Sequence, residues 1–277
     1  MKTILVAMDF SKGALNALSY AVDIAQSSKT DIILVWVDSN PTEKSIVGEK
    51  NEIRNDAKLE LKNIIEQYQP EDAEFEITYK LKRGKVYQEI ASTATASNAD
   101  LIIIGTHGIG GFEDFWIGSN AFKIISYSPC PVISVPTSFN LGGSIESIIL
   151  PIDDSFDTTK KVPMATTLAL AFNADIQLLG VYYSDLPSIR KKTDGYIKDT
   201  KRYLISKGVK LAYKSCSSNN ISSSIVKHAE QLEADLIVIM TDQDKASSDI
   251  IMGINSQQII NRSSIPILSV KPGKMEF

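Results

Sequence analysis

Leu101–Ser119 reads LIIIGTHGIGGFEDFWIGS. The apolar run Leu101–Ile104 ends on Gly105 and continues as Gly-x2-Gly-x9-Gly-Ser, with Gly105, Gly108, Gly118 and Ser119 at the fixed points. A continuous apolar run of this length suits a strand buried on both faces of a parallel sheet. The glycines let backbone bend tightly and approach a ligand, and Gly118-Ser119 opens a helical pattern whose first amides would face an anion. The stretch therefore reads as strand, phosphate cradle and helix start.

Outward from it, the chain repeats itself. Asn98-Ala99-Asp100-Leu101-Ile102-Ile103-Ile104-Gly105-Thr106 returns as Glu233-Ala234-Asp235-Leu236-Ile237-Val238-Ile239-Met240-Thr241. Ser128–Val135 (SPCPVISV) returns as Ser263–Val270 (SSIPILSV). The strand openings agree too: Ile4–Ser11 with Ile148–Ser155, and Asp31–Val37 with Asp175–Val181. Four anchors in the same order mark a duplicated domain, and two copies are too few for a solenoid. A length of 277 residues suits two domains of ordinary size. The repeats are expected at 1–138 and 145–277, joined by the small, polar, Gly142-Gly143-containing stretch 137–144 (TSFNLGGS).

Hydrophobic content of 43% with 22% charged residues is that of a folded globular protein, and a net charge of -4 argues against a general binder of nucleic acid or anionic membrane. Only Cys130 and Cys216 are present, at non-equivalent places and without CxxC spacing, so neither a disulfide framework nor a zinc site is indicated and a reducing cytoplasm is the expected location. The opening MKTILVAMDFS has an apolar stretch too short for a signal peptide, and no run reaches transmembrane length.

In repeat one the pattern predicts strands at about 2–8 and 32–37, a helix near 14–27, and then helix, strand, helix, strand, helix, strand. Ile53, Ala57, Leu61, Ile64, Ile65 and Tyr68 fall on one helical face, while Phe75, Ile77, Tyr79 and Leu81 alternate with polar residues as an edge strand does. The expectation is an α/β fold: two repeats of a Rossmann-like open five-stranded parallel sheet with helices on both faces. Such sheets bind ligands beyond the carboxyl ends of their strands, where successive connections diverge. Asp9, Val37 and Gly105 all lie at such ends, so three distant points of sequence converge on one crevice.

These residues and motifs resemble the universal stress protein family in its tandem form, over essentially the whole chain. Gly-x2-Gly-x9-Gly-Ser after the fourth strand is that family's nucleotide motif, with the Asp9 that closes the first strand as its usual partner. The resemblance implies the sheet of the adenine nucleotide alpha hydrolase-like group and a bound ATP, AMP or ADP. It places Asp9 and Val37 on the adenine side, Gly105 at the ribose, and Gly108, Gly118, Ser119 and Asn120 around the phosphates; Ala7 is a further candidate contact, and His107, inside the cradle, a candidate donor to a phosphate. It also implies pairing of the repeats through their fifth strands, Val132–Val135 and Ile267–Val270, as an intramolecular pseudo-dimer, and leaves room for a homodimer of chains.

Repeat two departs at the motif. With Gly118 aligned to Gly253, Met240 replaces Gly105, Gln243 replaces Gly108 and Ile254 replaces Ser119, although Asp153 and Val181 remain. Side chains at Met240 and Gln243 would intrude where a phosphate needs bare amides, so repeat two is expected to bind nucleotide weakly or not at all. The repeat-one loop carries Glu113 and Asp114 but no Lys or Arg. Two readings stand: Mg2+ bridging a carboxylate and the phosphates, or both carboxylates in water, the second being favoured. The aromatic residues Phe112, Phe115 and Trp116 are expected to anchor the loop.

No catalytic residue is assigned. The motif has no Walker lysine, the chain has no Gly-x-Ser-x-Gly elbow, and His107 has no second histidine nearby. Three functional readings follow: an ATP-binding stress-response regulator or chaperone-like module, a nucleotide-free interaction scaffold, and, ranked below both, an adenylyl-transferring enzyme of the same fold.

Overall fold

The computed structural model describes residues 1–39, 47–106, 117–140, 144–241 and 252–271, with side chains described for all of these except 47–51. The chain divides into two units, Met1–Asn140 and Leu141–Phe277.

The first unit runs β1 (Thr3–Met8), α1 (Lys12–Ser28), β2 (Asp31–Asp38), α2 (Val47–Tyr68), β3 (Ile77–Arg83), α3 (Val86–Ala96), β4 (Leu101–Gly105), α4 (Ser119–Tyr127) and β5 (Val132–Val135). Its strands are parallel in the order β3-β2-β1-β4-β5. Ile4, Leu5, Val6 and Leu101–Ile104 are fully or almost fully buried, as their unbroken apolar runs require for strands with neighbours on both sides. The alternating β3 lies at the edge. Helices cover both faces of the sheet; α1 lies over β1, β4 and β5, and α3 packs against α4. On α2 the buried stripe begins at Ala57 and continues through Leu61 and Ile64, whereas Ile53, one turn earlier, is exposed.

The second unit repeats the plan: β6 (Ser147–Ile152), α5 (Val162–Phe172), β7 (Asp175–Tyr182), α6 (Pro187–Ser206), β8 (Leu211–Ser217), α7 (Ile221–Gln231), β9 (Leu236–Met240), α8 (Ile254–Arg262) and β10 (Ile267–Val270). Its parallel order is β8-β7-β6-β9-β10, with the polar β8 at the edge.

The duplicated sequence anchors prove to be joints of the fold. Asp100 accepts hydrogen bonds from the backbone N–H of Lys2 (2.6 Å) and Thr3 (3.2 Å), fastening the start of β4 to the start of β1. Asp235 does the same for Glu146 (2.8 Å) and Ser147 (2.9 Å). Two residues before each aspartate, Asn98 (φ 47°) and Glu233 (φ 48°) take the left-handed turn that aims the chain into the strand. Ser128 and Ser263 each close a turn ahead of the fifth strand by donating to a carbonyl two residues on, at 2.7 Å in both repeats.

The first helices of the units differ. In repeat one Ser11 caps α1, accepting from the Ala14 N–H at 3.1 Å, so the helix begins immediately after β1. In repeat two the segment of equal length holds Pro163, whose ring would clash with a helical carbonyl four residues back and which has no N–H to donate. α5 accordingly begins at Val162, with the proline in its first turn, and the preceding residues form turns instead.

On α1, burial raises the carboxyl pKa of Asp23 from the usual 3.8 to about 6. A folded pKa above the unfolded one means that the folded state favours the protonated acid, so the stability present below pH 3.8 is lost as pH rises through 6. Asp23→Asn is therefore expected to raise the melting temperature above about pH 7 and to leave it unchanged in acid. Scanning calorimetry at the two pH values checks this; equal melting temperatures at high pH would refute the burial argument.

Candidate functional site

β1 is flanked by β2 and β4, and the connections leaving their carboxyl ends run to opposite sides: α1 leads from β1 to β2, while α4 leads from β4 to β5. Sheets of this order open a crevice at the carboxyl ends of the two strands where the direction reverses. Asp9 directly follows β1, Val37 is the next-to-last residue of β2, and Gly105 closes β4. Ala7, two residues before Asp9, sits opposite Val35 in the β1–β2 register.

The end of β4 and the start of α4 are pinned together: the Gly118 N–H donates to the Thr106 carbonyl at 2.8 Å, and the Thr106 N–H donates to Val135 at 3.1 Å. Gly118 is the residue preceding α4 and provides no side-chain cap, so the amides of the first turn, at the exposed Ser119 and Asn120, have no capping oxygen from that side chain. A helix start of this kind favours an anion, through both its amide donors and its dipole. The structure thus brings Ala7, Asp9, Val37, Gly105, Gly118, Ser119 and Asn120 to the carboxyl end of one sheet. His107 and Gly108, the acidic pair Glu113 and Asp114, and Phe112, Phe115 and Trp116 lie outside the described residues.

Two of these residues have structural duties that their sequence pattern does not reveal. A Cβ on Gly105 would stand 2.6 Å from both the carbonyl carbon and oxygen of Gly13 and 3.1 Å from the Ala14 nitrogen. Gly105 is bare because the first turn of α1 lies directly against it. The signal was present in sequence as Gly13, whose partner only the fold identifies. Asp9 is also engaged: its Oδ1 accepts from the Ser11 N–H (3.0 Å) and the Ser11 hydroxyl (2.5 Å), steadying the residue that caps α1. Both bonds fall on Oδ1, leaving Oδ2 as the acceptor available to a ligand. Between them Phe10 holds φ 62°, an uncommon state for an aromatic residue, which costs of order 1 kcal/mol and tightens the turn. Its ring lies 6.5 Å from that of Trp36.

In repeat two the same region is filled. Met240 stands at the Gly105 position and is 8% exposed. Lys161, at the place of the buried Ala17 of repeat one, is 4% exposed, and its Nζ donates to the Thr158 carbonyl at 2.8 Å. The Asp153 N–H and the Lys161 ammonium both bond to the Thr158 hydroxyl, at 3.1 and 3.3 Å. Burial pushes the Asp153 carboxyl up, but the Lys161 charge and the hydrogen bonds from Ser155 and Thr158 outweigh it and leave the carboxyl below its usual range. The cavity that remains among Asp153, Ser155, Lys161, Val181, Met240 and Asn255 measures about 60 Å³. Small-molecule sites begin near 300 Å³, and the space left among these described residues is well below that. The sequence exposes the Met240 replacement; the burial of Lys161 follows from the late start of α5 and shows only in the structure.

Among the described residues no group of three His, Cys, Asp or Glu side chains gathers to hold a metal ion, and no helix is long and apolar enough to cross a membrane.

Comparison with known proteins agrees with this architecture. The chain resembles Universal stress protein YxiE of Bacillus subtilis, at 30% identity over 142 residues that cover 47% of this chain and 96% of the relative. It likewise resembles Universal stress protein Sll1654 of Synechocystis, at 30% identity, covering 49% of this chain and 85% of the relative. The crystal structure of a universal stress protein from Archaeoglobus fulgidus matches the fold with a TM-score of 0.78 at 17% identity, over 99% of this chain and 97% of that one. The profile of the Universal stress protein family matches residues 1–136 and again residues 144–271. With both halves matched in turn, the chain belongs to the universal stress protein family as a tandem of two of its domains.

Proposed function

We propose that this chain acts in the stress response as a nucleotide-dependent regulatory module, binding an adenine nucleotide, ATP or its mono- or diphosphate relatives, in repeat one. The observation that carries this reading is the contrast between the two crevices. Repeat one keeps Gly13, Ala17 and Gly105 where repeat two has Asp157, Lys161 and Met240, and the cavity left in repeat two measures about 60 Å³. A helix start without a side-chain cap, beside a bare Gly105, suits a phosphorylated ligand. On this reading the first amides of α4, with Ser119 and Asn120, hold phosphate oxygens. The family resemblance adds Gly118 to this cradle, together with His107 and Gly108, which lie outside the described residues. Asp9 Oδ2 accepts from the exocyclic amino group of adenine, with Ala7 and Val37 beside the base. Bound there, the nucleotide would supply the anionic phosphates that the first amides of α4 can hold. Its phosphates offer oxygens to Mg2+.

Isothermal titration calorimetry of the full chain with ATP is expected to give one site per chain. Asp9→Asn keeps an oxygen for Ser11 but replaces the free acceptor by a donor, and should weaken binding roughly tenfold or more, the worth of a charged hydrogen bond. Asp153→Asn, at the matching place in repeat two, should leave affinity unchanged. Two sites per chain, or equal affinity in Asp9→Asn, would overturn the reading.

A second reading rests on a specific observation: Gly105 is required by Gly13 and Asp9 by Ser11, with or without a ligand. These two residues therefore also suit a nucleotide-free interaction scaffold, which an absence of any ATP binding heat would favour.

A further inference from the structure

The net charge of -4 hides an uneven distribution. Pro187–Lys214, from the start of α6 to the middle of β8, holds nine of the chain's 29 Lys and Arg residues and two of its 33 Asp and Glu residues, a local charge of +7. The counterpart in repeat one is built differently. On α2 the described Arg54, Lys58 and Lys62 alternate with acidic residues, and four acidic residues and no basic one separate α2 from β3. Between α6 and β8 stand Lys207 and Lys210 and no acidic residue. The basic surface thus belongs to repeat two alone.

Its cations are presented to solvent. α6 packs on β6, β7 and β8 through the buried Thr193, Ile197, Thr200 and Leu204, which turns the rest of its circumference outward. Lys191, Lys192, Lys198, Lys207, Lys210 and Lys214 are exposed and form no ion pair among the described residues. The acidic groups of the region are engaged elsewhere. Asp185 pairs with Arg190 at 3.1 Å, Asp199 pairs with Arg202 at 3.4 Å, and Asp194 accepts from the Tyr182 hydroxyl.

Tyrosines stand among the lysines. Lys192, Tyr196, Tyr203 and Lys207 follow one another at spacings of four, seven and four residues, each close to a whole number of turns, so they share one flank of the helix. The Lys192 ammonium lies 5.8 Å from the Tyr196 ring centre and that of Lys207 lies 5.6 Å from the Tyr203 ring centre, and both rings are half-exposed. On β8 the Tyr213 ring, 39% exposed, has the Lys201 ammonium 3.4 Å from its centre.

We propose that the exposed side of α6, with the Lys210 and Lys214 that follow it, binds single-stranded nucleic acid. A concentrated positive charge fits a polyanion, and a tyrosine beside an ammonium offers a stacking face to a base and a counter-charge to its phosphate. A duplex keeps its bases stacked on one another and has no use for the rings. An acidic protein segment matches the lysines alone, and α6 has turned its apolar stripe to the sheet, where it is not available to a lipid surface. The negative charge of the whole chain confines binding to this one surface and keeps the protein from being a general binder of nucleic acid. The surface is independent of nucleotide binding in repeat one.

The test is fluorescence anisotropy of the full chain with labelled oligo(dT) and oligo(rU) of about 16 nucleotides, the upper site size of known single-strand modules. At least one of them should bind, and its affinity should fall more than tenfold between about 50 and 200 mM salt. Lys192→Gln, Lys198→Gln and Lys207→Gln together should lower that affinity by about tenfold or more and flatten the salt dependence. Tyr196→Leu with Tyr203→Leu keeps the charge and should lower affinity by about tenfold without changing the salt dependence. Lys58→Gln with Lys62→Gln, on α2, should change nothing. The lysine variant alters only exposed side chains, so it tests the surface even if the tyrosine variant proves unstable. No binding of either oligonucleotide, equal or tighter binding of a duplex, of poly-glutamate or of phosphatidylserine vesicles, or unchanged affinity in a folded lysine or tyrosine variant would each overturn the proposal.

Discussion

Gly105→Met, which gives repeat one the residue that repeat two carries, is expected to destabilise repeat one by about 3 kcal/mol and to abolish ATP binding. The cost is at the upper end of overpacking penalties, because the new Cβ would meet backbone atoms of Gly13 at 2.6 Å, and backbone cannot rotate away as a side chain can. Both tryptophans, Trp36 and Trp116, belong to repeat one, so the denaturant midpoint followed by tryptophan emission reads that repeat. The reciprocal change, Met240→Gly, should cost repeat two about 3–5 kcal/mol through the cavity and the weakened strand, without creating a nucleotide site, since Lys161 still fills the crevice. A Gly105→Met protein that unfolds at the wild-type midpoint would show that α1 does not press on β4 as described. Retained ATP affinity in that variant would show that the crevice is not where the nucleotide sits.

The second large effect concerns the buried cation. Lys161→Met removes the charge that holds down the Asp153 carboxyl and leaves Asp153, half-buried behind Ser155 and Thr158, without its main electrostatic support. The change also strips the Thr158 carbonyl and hydroxyl of the Lys161 donor, and the expected cost is about 2 kcal/mol. The pH dependence carries the sign. In the wild-type chain the Asp153 pKa is depressed, so its contribution is present above the usual carboxylate value and is lost as pH falls through the folded pKa. In the variant burial dominates and raises the pKa, so the ionised carboxylate becomes a burden as pH rises. The stability gap between the two proteins should therefore be widest at neutral pH and should narrow in acid only as pH falls through the depressed wild-type pKa, below the usual carboxylate range. Hydrogen exchange of the Ser147–Ile152 and Leu236–Met240 amides, compared at neutral and acid pH, reads repeat two directly. A gap independent of pH would mean that the lysine acts through its packing and not through its charge.

The legible and illegible parts of this protein divide along a physical line. Patterns set by local geometry could be read from the chain: the unbroken apolar runs at Ile4–Val6 and Leu101–Ile104 are central strands, and the alternation around Ile77–Leu81 is an edge. The two repeats declared themselves because each must rebuild the same joints, such as Asp100 and Asp235 fastening the fourth strand to the first. The parallel order followed, since strands alternating with helices have few other ways to cover both faces of a sheet.

What the sequence by itself determined, then, was the duplicated α/β sheet, the end of that sheet at which a ligand would be met, and the loss of the glycine motif from repeat two. Only the tertiary structure decided which residues press on one another across long separations. It gave Gly105 its partner in Gly13, engaged Asp9 with Ser11, and buried Lys161 where Pro163 delays a helix. Periodicity reports which face of an element is buried. Close packing, which settles whether a crevice is open or filled, is a property of pairs that only folding brings within reach.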